Sequence, residues 1–298
     1  MVVAPTRHYD IKMLGHVIHR SLSSCTAVTE HNTILNVIFK NKSQQVITGD
    51  QINIEKQNDS FILTNIAPRT NIFTRADSHL NQEMLASNLS QVAIMIAPEP
   101  HPDTLLVDGM LAAAEQLNIK AIIINNKIDI SSLPADLIYY TNLYPVVSIS
   151  AKEKTNFDKL MEALEDETTL FLGQSGVGKS TLMNRLTGKN SQKTSTLTKM
   201  HGKHTTSAST MHSLNRETRI VDTPGVRHFL PYFKQKADIY SGFKEMSTYQ
   251  GQCKFHNCMH LTEPSCAVIS AMEAGQISSD RYASYQKIYE IYVAANRN

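Results

Sequence analysis

Residues 121–130 read AIIINNKIDI, and their place in the chain decides the fold. The run Ile122-Ile123-Ile124 reads as a buried strand because it is continuously apolar. It ends in Asn126-Lys127-Ile128-Asp129, the N-K-x-D pattern of loops that read guanine. A carboxylate such as Asp129 accepts hydrogen bonds from guanine N1–H and the N2 amine. Adenine lacks both donors at those places, and a mismatch leaves buried polar groups unpaired. In an ordinary GTP-binding domain this loop comes late, after the phosphate loop. Here the phosphate loop follows it.

Gly173-Gln174-Ser175-Gly176-Val177-Gly178-Lys179-Ser180 matches G-x-x-x-x-G-K-[ST]. Its glycines let the backbone curl so that successive N–H groups point at phosphate oxygens, at the positive end of the helix that begins there. Lys179 is expected to reach the β- and γ-phosphates, and Ser180 to hold Mg²⁺. Thr181, next in the helix, is counted with the nucleotide contacts. Asp222-Thr223-Pro224-Gly225 ends a later strand. There Asp222 would hold Mg²⁺ through water and the Gly225 N–H would sense the γ-phosphate. Alone, D-T-P-G is a common turn. Ser150-Ala151-Lys152 also follows a strand and matches the S-A-K element that supports the base from its other side.

All four elements stand at C-terminal strand ends, the edge at which open α/β sheets bind ligands. Only the order is unusual. Cutting the usual chain between its third and fourth strands and joining the old ends gives this order with the site intact. Domain termini often lie close together, so such a permutation is physically reasonable. Val226 follows D-T-P-G, where many GTPases place a Gln that positions water. Either unaided hydrolysis is slow or another group helps. Gly202-Lys203-His204-Thr205-Thr206 lies in a long Thr-rich loop, residues 189–210. One Thr could complete the Mg²⁺ shell. His204 could orient the water or be a solvated loop residue.

Around this centre, residues 11–70 hold five β-rich runs separated by polar turns, which suggests a small closed barrel. An OB-fold is a natural candidate, and an SH3-like barrel would give nearly the same pattern. Residues 71–90 read as a link. Strands over 92–98, KAIIIN and PVVSIS alternate with helices over 103–118 and NFDKLMEAL, implying a parallel sheet covered on both faces. Near the end, Cys253, Cys258, His260 and Cys266 crowd into CKFHNCMHLTEPSC. Three Cys and one His complete a closed tetrahedral structural zinc site, with His256 as the competing ligand. Tyr282, Tyr285, Ile288, Tyr289 and Tyr292 recur at helical spacing and read as packing surface.

The composition, 41% hydrophobic and 19% charged, is ordinary for a globular protein of 298 residues. Net charge of +2 hides an asymmetry. Residues 71–172 carry six Lys/Arg against fourteen Asp/Glu, a net of −8, and residues 173–230 carry nine against two, a net of +7. The basic block attracts polyanions: nucleotide, and RNA. Four Cys are too few for a disulfide scaffold, no apolar run suggests a spanning helix, and nothing at the N-terminus suggests export. We expect a cytoplasmic monomer that uses no membrane.

With these motifs in this order, the chain resembles the RsgA (YjeQ) family of circularly permuted, ribosome-small-subunit-dependent GTPases. The resemblance rests on N-K-x-D, S-A-K, the phosphate loop, G-K-H-T-T and D-T-P-G, and on C-x₄-C-x-H-x₂-E-P-x-C-A-V from Cys253 to Val268. VITGDQI (46–52) and IAPRTNIFTR (66–75) are weaker echoes. It implies an RNA-binding OB-fold over 1–75, a permuted GTPase domain over 76–231 and a zinc domain over 232–298. It implies a factor for late maturation of the 30S subunit that meets 16S rRNA and whose GTP hydrolysis the subunit stimulates. The alternative is a GTP-gated RNA-binding module with negligible turnover. By the resemblance, His204 takes the hydrolytic role; Ser207 departs from the third Thr often found there.

Overall fold

The computed structural model describes residues 12–40, 45–77, 79–188, 209–223 and 229–295. The buried strand that opens the sequence reading is β9 (Lys120–Asn125), one of five parallel strands in the order β10 (Val146–Ser148), β9, β8 (Gln91–Ile96), β11 (Thr168–Gly173), β13 (Arg219–Asp222). Successive side chains of a strand face opposite ways. Each apolar run therefore feeds two cores. Val92, Ile94 and Ile96 of β8, Ile123 of β9 and Leu170 of β11 face helix α1 (Thr104–Gln116) through Leu106, Met110 and Leu111. Ala93, Met95, Ile122, Ile124 and Phe171 face α2 (Phe157–Leu164) and α3 (Lys179–Leu186) through Leu160, Leu182 and Met183. Asp103 caps α1 as its position suggests, its side chain accepting the Leu106 N–H.

The N-terminal runs form β1 (Lys12–Arg20), β2 (Ser24–Thr29), β3 (Ile34–Ile38), β4 (Gln51–Gln57) and β5 (Ser60–Ile66). They close in the order 1-2-3-5-4 and back to 1, with β3 parallel to β5. That order makes the barrel an OB-fold. Val17, Cys25, Ala27, Val37, Ile52, Ile54 and Leu63 fill it.

Residues 71–90 do more than link. They form β6 (Ile72–Ala76) and β7 (Gln82–Ser87), which pair with each other, and β14 (Leu230–Pro231) adds to β6. QEMLAS is poor in β-branched and aromatic residues, so its pairing is set by partners and not by propensity. β6 runs across the expected border at 75/76. A further antiparallel strand, β12 (Thr210–Ser213), starts at the end of the expected loop and joins β13 to barrel strand β1.

The C-terminal part comprises a 3₁₀ helix (Lys236–Gly242), α4 (Lys244–Ser247), the cysteine loop, α5 (Ala267–Glu273) and α6 (Ser279–Ala295). Tyr282, Tyr285, Ile288 and Tyr292 are buried in its core, as the helical stripe suggests. Arg281 of α6, fully buried, bonds Asp108 of α1 at 2.8 Å and grips Glu245 of α4 with two bonds of 2.7 and 2.9 Å. Tyr140 donates to the same Asp108 oxygen at 2.6 Å. Among the described residues, no helix is long and apolar enough to cross a membrane.

Candidate nucleotide site and metal centre

Three loops from three strand ends meet at Asn126. The residue follows β9 and is 2% exposed. Its Nδ2 donates to the Val177 carbonyl in the phosphate loop at 2.8 Å. Its Oδ1 accepts the Ala151 N–H of the S-A-K loop at 2.9 Å. One amide thus satisfies a donor and an acceptor that neither loop pairs for itself. Gly178 must be glycine here. It sits at φ +92°, and a Cβ would lie 2.4 Å from Asn126 Nδ2.

Asp129 is exposed at the far end of the same loop. Ser150 Oγ donates to it at 2.6 Å and accepts the Glu153 N–H at 3.0 Å. The Ser150 bond, ahead of Lys152 and Lys127 nearby, holds the Asp129 carboxyl below its ordinary pKa. It therefore stays an acceptor across the physiological range. Lys127 (φ 64°) directs its Nζ to the Glu99 carbonyl at 2.7 Å, at the rim of the phosphate loop. Lys152 is exposed, and its carbonyl accepts from Arg185.

Lys179 opens α3 at 8% exposure. Its ammonium meets the Asp222 carboxylate and the Thr223 carbonyl. Thr223 in turn donates to the Phe171 carbonyl of β11 at 3.0 Å. A nearly buried ammonium needs anionic company, and Asp222 supplies it where a phosphate could. Ser175, Gly176, Ser180 and Thr181 are exposed beside it, and Val177 is buried as the loop's apolar anchor. Gly173 ends β11. Gln174 does something sequence did not suggest: its side chain accepts the Asp103 N–H at 3.0 Å and donates to the His101 carbonyl at 3.2 Å. It ties the phosphate loop to the turn before α1. His204, Thr205, Thr206, Gly225 and Val226 lie outside the described residues.

At the metal centre, one ligand atom from each of Cys253, Cys258, His260 and Cys266 lies within 4.8 Å of every other. The Cys253 and Cys266 sulfurs are 3.8 Å apart, and His260 Nδ1 is 3.5 and 3.3 Å from them. A tetrahedral zinc, about 2.3 Å from sulfur and 2.0–2.1 Å from nitrogen, sets S···S near about 3.8 Å and S···N near about 3.5 Å. A disulfide would need about 2.05 Å, and all three thiols are free. The cluster fits one structural zinc ion. Glu263, which the sequence shows only as part of the E-P signature, shapes the loop. Its carboxylate accepts the N–H groups of Met259 at 2.7 Å, Leu261 at 2.8 Å and Thr262 at 3.1 Å. These bonds bracket His260, which holds a left-handed φ of 56°. Tyr282 of α6 donates to the His260 carbonyl at 2.8 Å. Orienting contacts of this kind are expected around a metal.

A parallel sheet with the N-K-x-D, S-A-K and phosphate loops and the Asp222 strand end at one edge, in permuted order behind an OB barrel, is a circularly permuted GTPase architecture. Comparison with known proteins identifies which one. The family model for RsgA GTPase matches residues 66–230, and the chain belongs to that family. It is a GTP hydrolase, whose cofactors are GTP/GDP and Mg²⁺. Proteins named small ribosomal subunit biogenesis GTPase RsgA align along most of it. That of Nitrosomonas europaea is 31% identical over 97% of this chain and 89% of its own. That of Actinobacillus pleuropneumoniae serotype 5b is 30% identical over 97% and 90%. That of Neisseria gonorrhoeae (strain NCCP11945) is 34% identical over 87% and 86%. Among solved structures, YjeQ from Thermotoga maritima superposes with a TM-score of 0.71 at 25% identity, covering 95% of this chain and 99% of that one. YloQ, described as a circularly permuted GTPase, gives 0.71 at 22% identity over 98% and 99%, which speaks to the fold alone.

Proposed function

We propose that this GTPase binds the small (30S) ribosomal subunit and assists its late maturation, with hydrolysis stimulated by the subunit. The observation that carries this is full-length kinship with relatives named for small-subunit biogenesis, over 97% of the chain in two of them. The basic block of residues 173–230 supports an RNA-rich partner. In this reading residues 1–75 meet 16S rRNA, 76–231 turn over GTP, and 232–298 are braced by zinc. The protein works as a cytoplasmic monomer.

Lys127 and Asp129 hold guanine on a loop that Asn126 braces against the phosphate and S-A-K loops, with Ser150, Ala151 and Lys152 behind the base. Gly173 to Thr181 cradle the phosphates, Gln174 by backbone only, since its side chain is engaged elsewhere. On nucleotide arrival Lys179 leaves Asp222 for the β- and γ-phosphates, freeing the carboxylate. Ser180 and Asp222 would then hold Mg²⁺, whose charge would offset that developing on the phosphate oxygens. Thr205 or Thr206 would complete that shell, the Gly225 N–H would meet the γ-phosphate, and His204 would orient the attacking water. Val226 favours slow unstimulated turnover.

The test is GTP hydrolysis with and without purified 30S subunits, with ATP as competitor. Stimulated, GTP-selective turnover is expected, and His204→Ala should cut it while sparing nucleotide affinity. Tight GTP-dependent binding to 30S without stimulation would replace this reading by a GTP-gated binding module. Equal use of ATP would remove the guanine assignment.

A further inference from the structure

We propose that Thr48, in the barrel, is a positioning residue for the γ-phosphate side of the nucleotide site. The inference rests on the nucleotide reading above and goes beyond it. Thr48 lies in the turn before β4 and is 2% exposed. Its hydroxyl donates to the Ser209 carbonyl at 2.8 Å, and Ser209 is itself 5% exposed. Ser209 leads into β12, where Thr210 stands opposite Asp222 in the register with β13. Asp222 holds Lys179. On the barrel side, His19 of β1 pairs with the same Thr210, its Nδ1 3.4 Å from the threonine hydroxyl. The chain therefore enters the strand beside Asp222 through two barrel contacts.

The turn that carries Thr48 cannot drift freely. The Ser87 N–H donates to the Thr48 carbonyl at 2.9 Å, and Ser87 Oγ donates to Asp50 at 2.6 Å. Arg69 clamps the fully buried Asp50 with bonds of 2.7 and 2.8 Å, and the Ile47 N–H donates to Asp50 at 2.9 Å. Gly49 (φ +98°) lets this happen, because a Cβ there would lie 2.1 Å from the Ser87 carbonyl oxygen. The two weak sequence echoes, VITGDQI and IAPRTNIFTR, are thus halves of one latch: Asp50 from the first, Arg69 from the second. Displacing the barrel shifts the turn, the turn shifts Ser209, and Ser209 shifts the strand opposite Asp222. Coupling of this kind is reciprocal, so nucleotide at Lys179 must also be felt at Thr48.

The test compares full-length wild type, Thr48→Val and Thr48→Ser. Affinities are measured for fluorescent GDP and a fluorescent non-hydrolysable GTP analogue with Mg²⁺. Valine keeps the shape and removes the hydroxyl. It should lower the ratio of analogue to GDP affinity about fivefold, the low end of ordinary coupling, and serine should restore it. General loosening of the fold would leave that ratio unchanged. In wild type, hydrogen exchange over residues 45–52 should slow more with the analogue than with GDP, a reading that stands even where Thr48→Val fails to fold. An unchanged ratio, or equal exchange with both nucleotides, overturns the coupling while leaving the GTPase reading intact. Wild type that binds neither nucleotide overturns both.

Discussion

Asn126 belongs to the guanine-reading quartet, yet its side chain is consumed by two loop contacts, so its loss should not resemble the loss of a base contact. Asn126→Ala leaves the Val177 carbonyl and the Ala151 N–H without partners. An unsatisfied buried polar group costs about 1–3 kcal/mol, so a dry site would lose roughly 2–6 kcal/mol. The loops lie at the sheet edge, and entering water offsets part, leaving about 2–4 kcal/mol. If that loss falls on the preformed site, nucleotide affinity drops roughly 30- to 1,000-fold. The drop should be the same for GTP and inosine triphosphate, which lacks the N2 amine. Asp129→Ala should do the opposite. Asp129 is exposed, so stability should hold while the preference for GTP over inosine triphosphate collapses. Binding titrations of both nucleotides, with urea unfolding alongside, measure each quantity. Should Asn126→Ala erase the base preference and leave stability untouched, Asn126 is a base contact and the bracing argument is wrong.

Arg281→Met should destabilise the docking of α6 on α1 by about 3–5 kcal/mol, because it strands Asp108 and Glu245 without their cation. Burial already pushes the Asp108 carboxyl up against the pull of Arg281, and urea unfolding should show the loss directly. Stability should also fall as pH drops below about 6.5, the ordinary His value. Burial lowers the pKa of His212, with Asp222 opposing, and burial and then Arg219 lower that of His16, with Glu30 opposing. The unfolded chain then binds those protons first, so the slope with pH is positive, and His212→Gln should flatten it in thermal melts. Metal analysis should find one zinc per chain. Strong chelators should open the 253–266 loop to protease, and Cys266→Ser should do so without chelator.

What was legible in the sequence is what repeats or touches its neighbours. Ile122 to Ile124 announce β9 because both faces of the sheet are covered, and Tyr282, Tyr285, Ile288 and Tyr292 announce the buried side of α6 because 3.6-residue spacing stacks them. The cysteine cluster was visible because its four ligands lie within one short segment. The rest is built from single polar partners far apart in the chain. Thr48 reaches Ser209 across 161 residues and Arg281 reaches Asp108 across 173. Neither end carries a period or a spacing. Gln174 matched a variable position of the phosphate motif, so the motif was silent about its bonds to residues 101 and 103. β12 escaped because Met211 is its one large apolar side chain, and pairing with β13 and β1, not propensity, makes it a strand.

The early place of AIIINNKIDI follows from how the α/β unit joins its neighbours. The chain leaves the barrel through β6 and β7 and only then enters β8. It leaves β13 at Asp222 and returns in β14. The register sets Leu230 opposite Ala76 and Pro231 opposite Arg75, so entry and exit are hydrogen-bonded neighbours. A domain whose ends meet can be cut at one surface loop and closed at another with no change to its sheet. In this chain the cut falls before β8, which brings β9 and its N-K-x-D loop forward and sends the phosphate loop, β12 and β13 to the end. The consequence is mechanical. Asp222 stands eight residues before Leu230 along the chain, the first residue of the strand that seals the unit. Whatever moves Asp222 therefore bears on the junction with the C-terminal helices on one side, and through β12 on the barrel at the other.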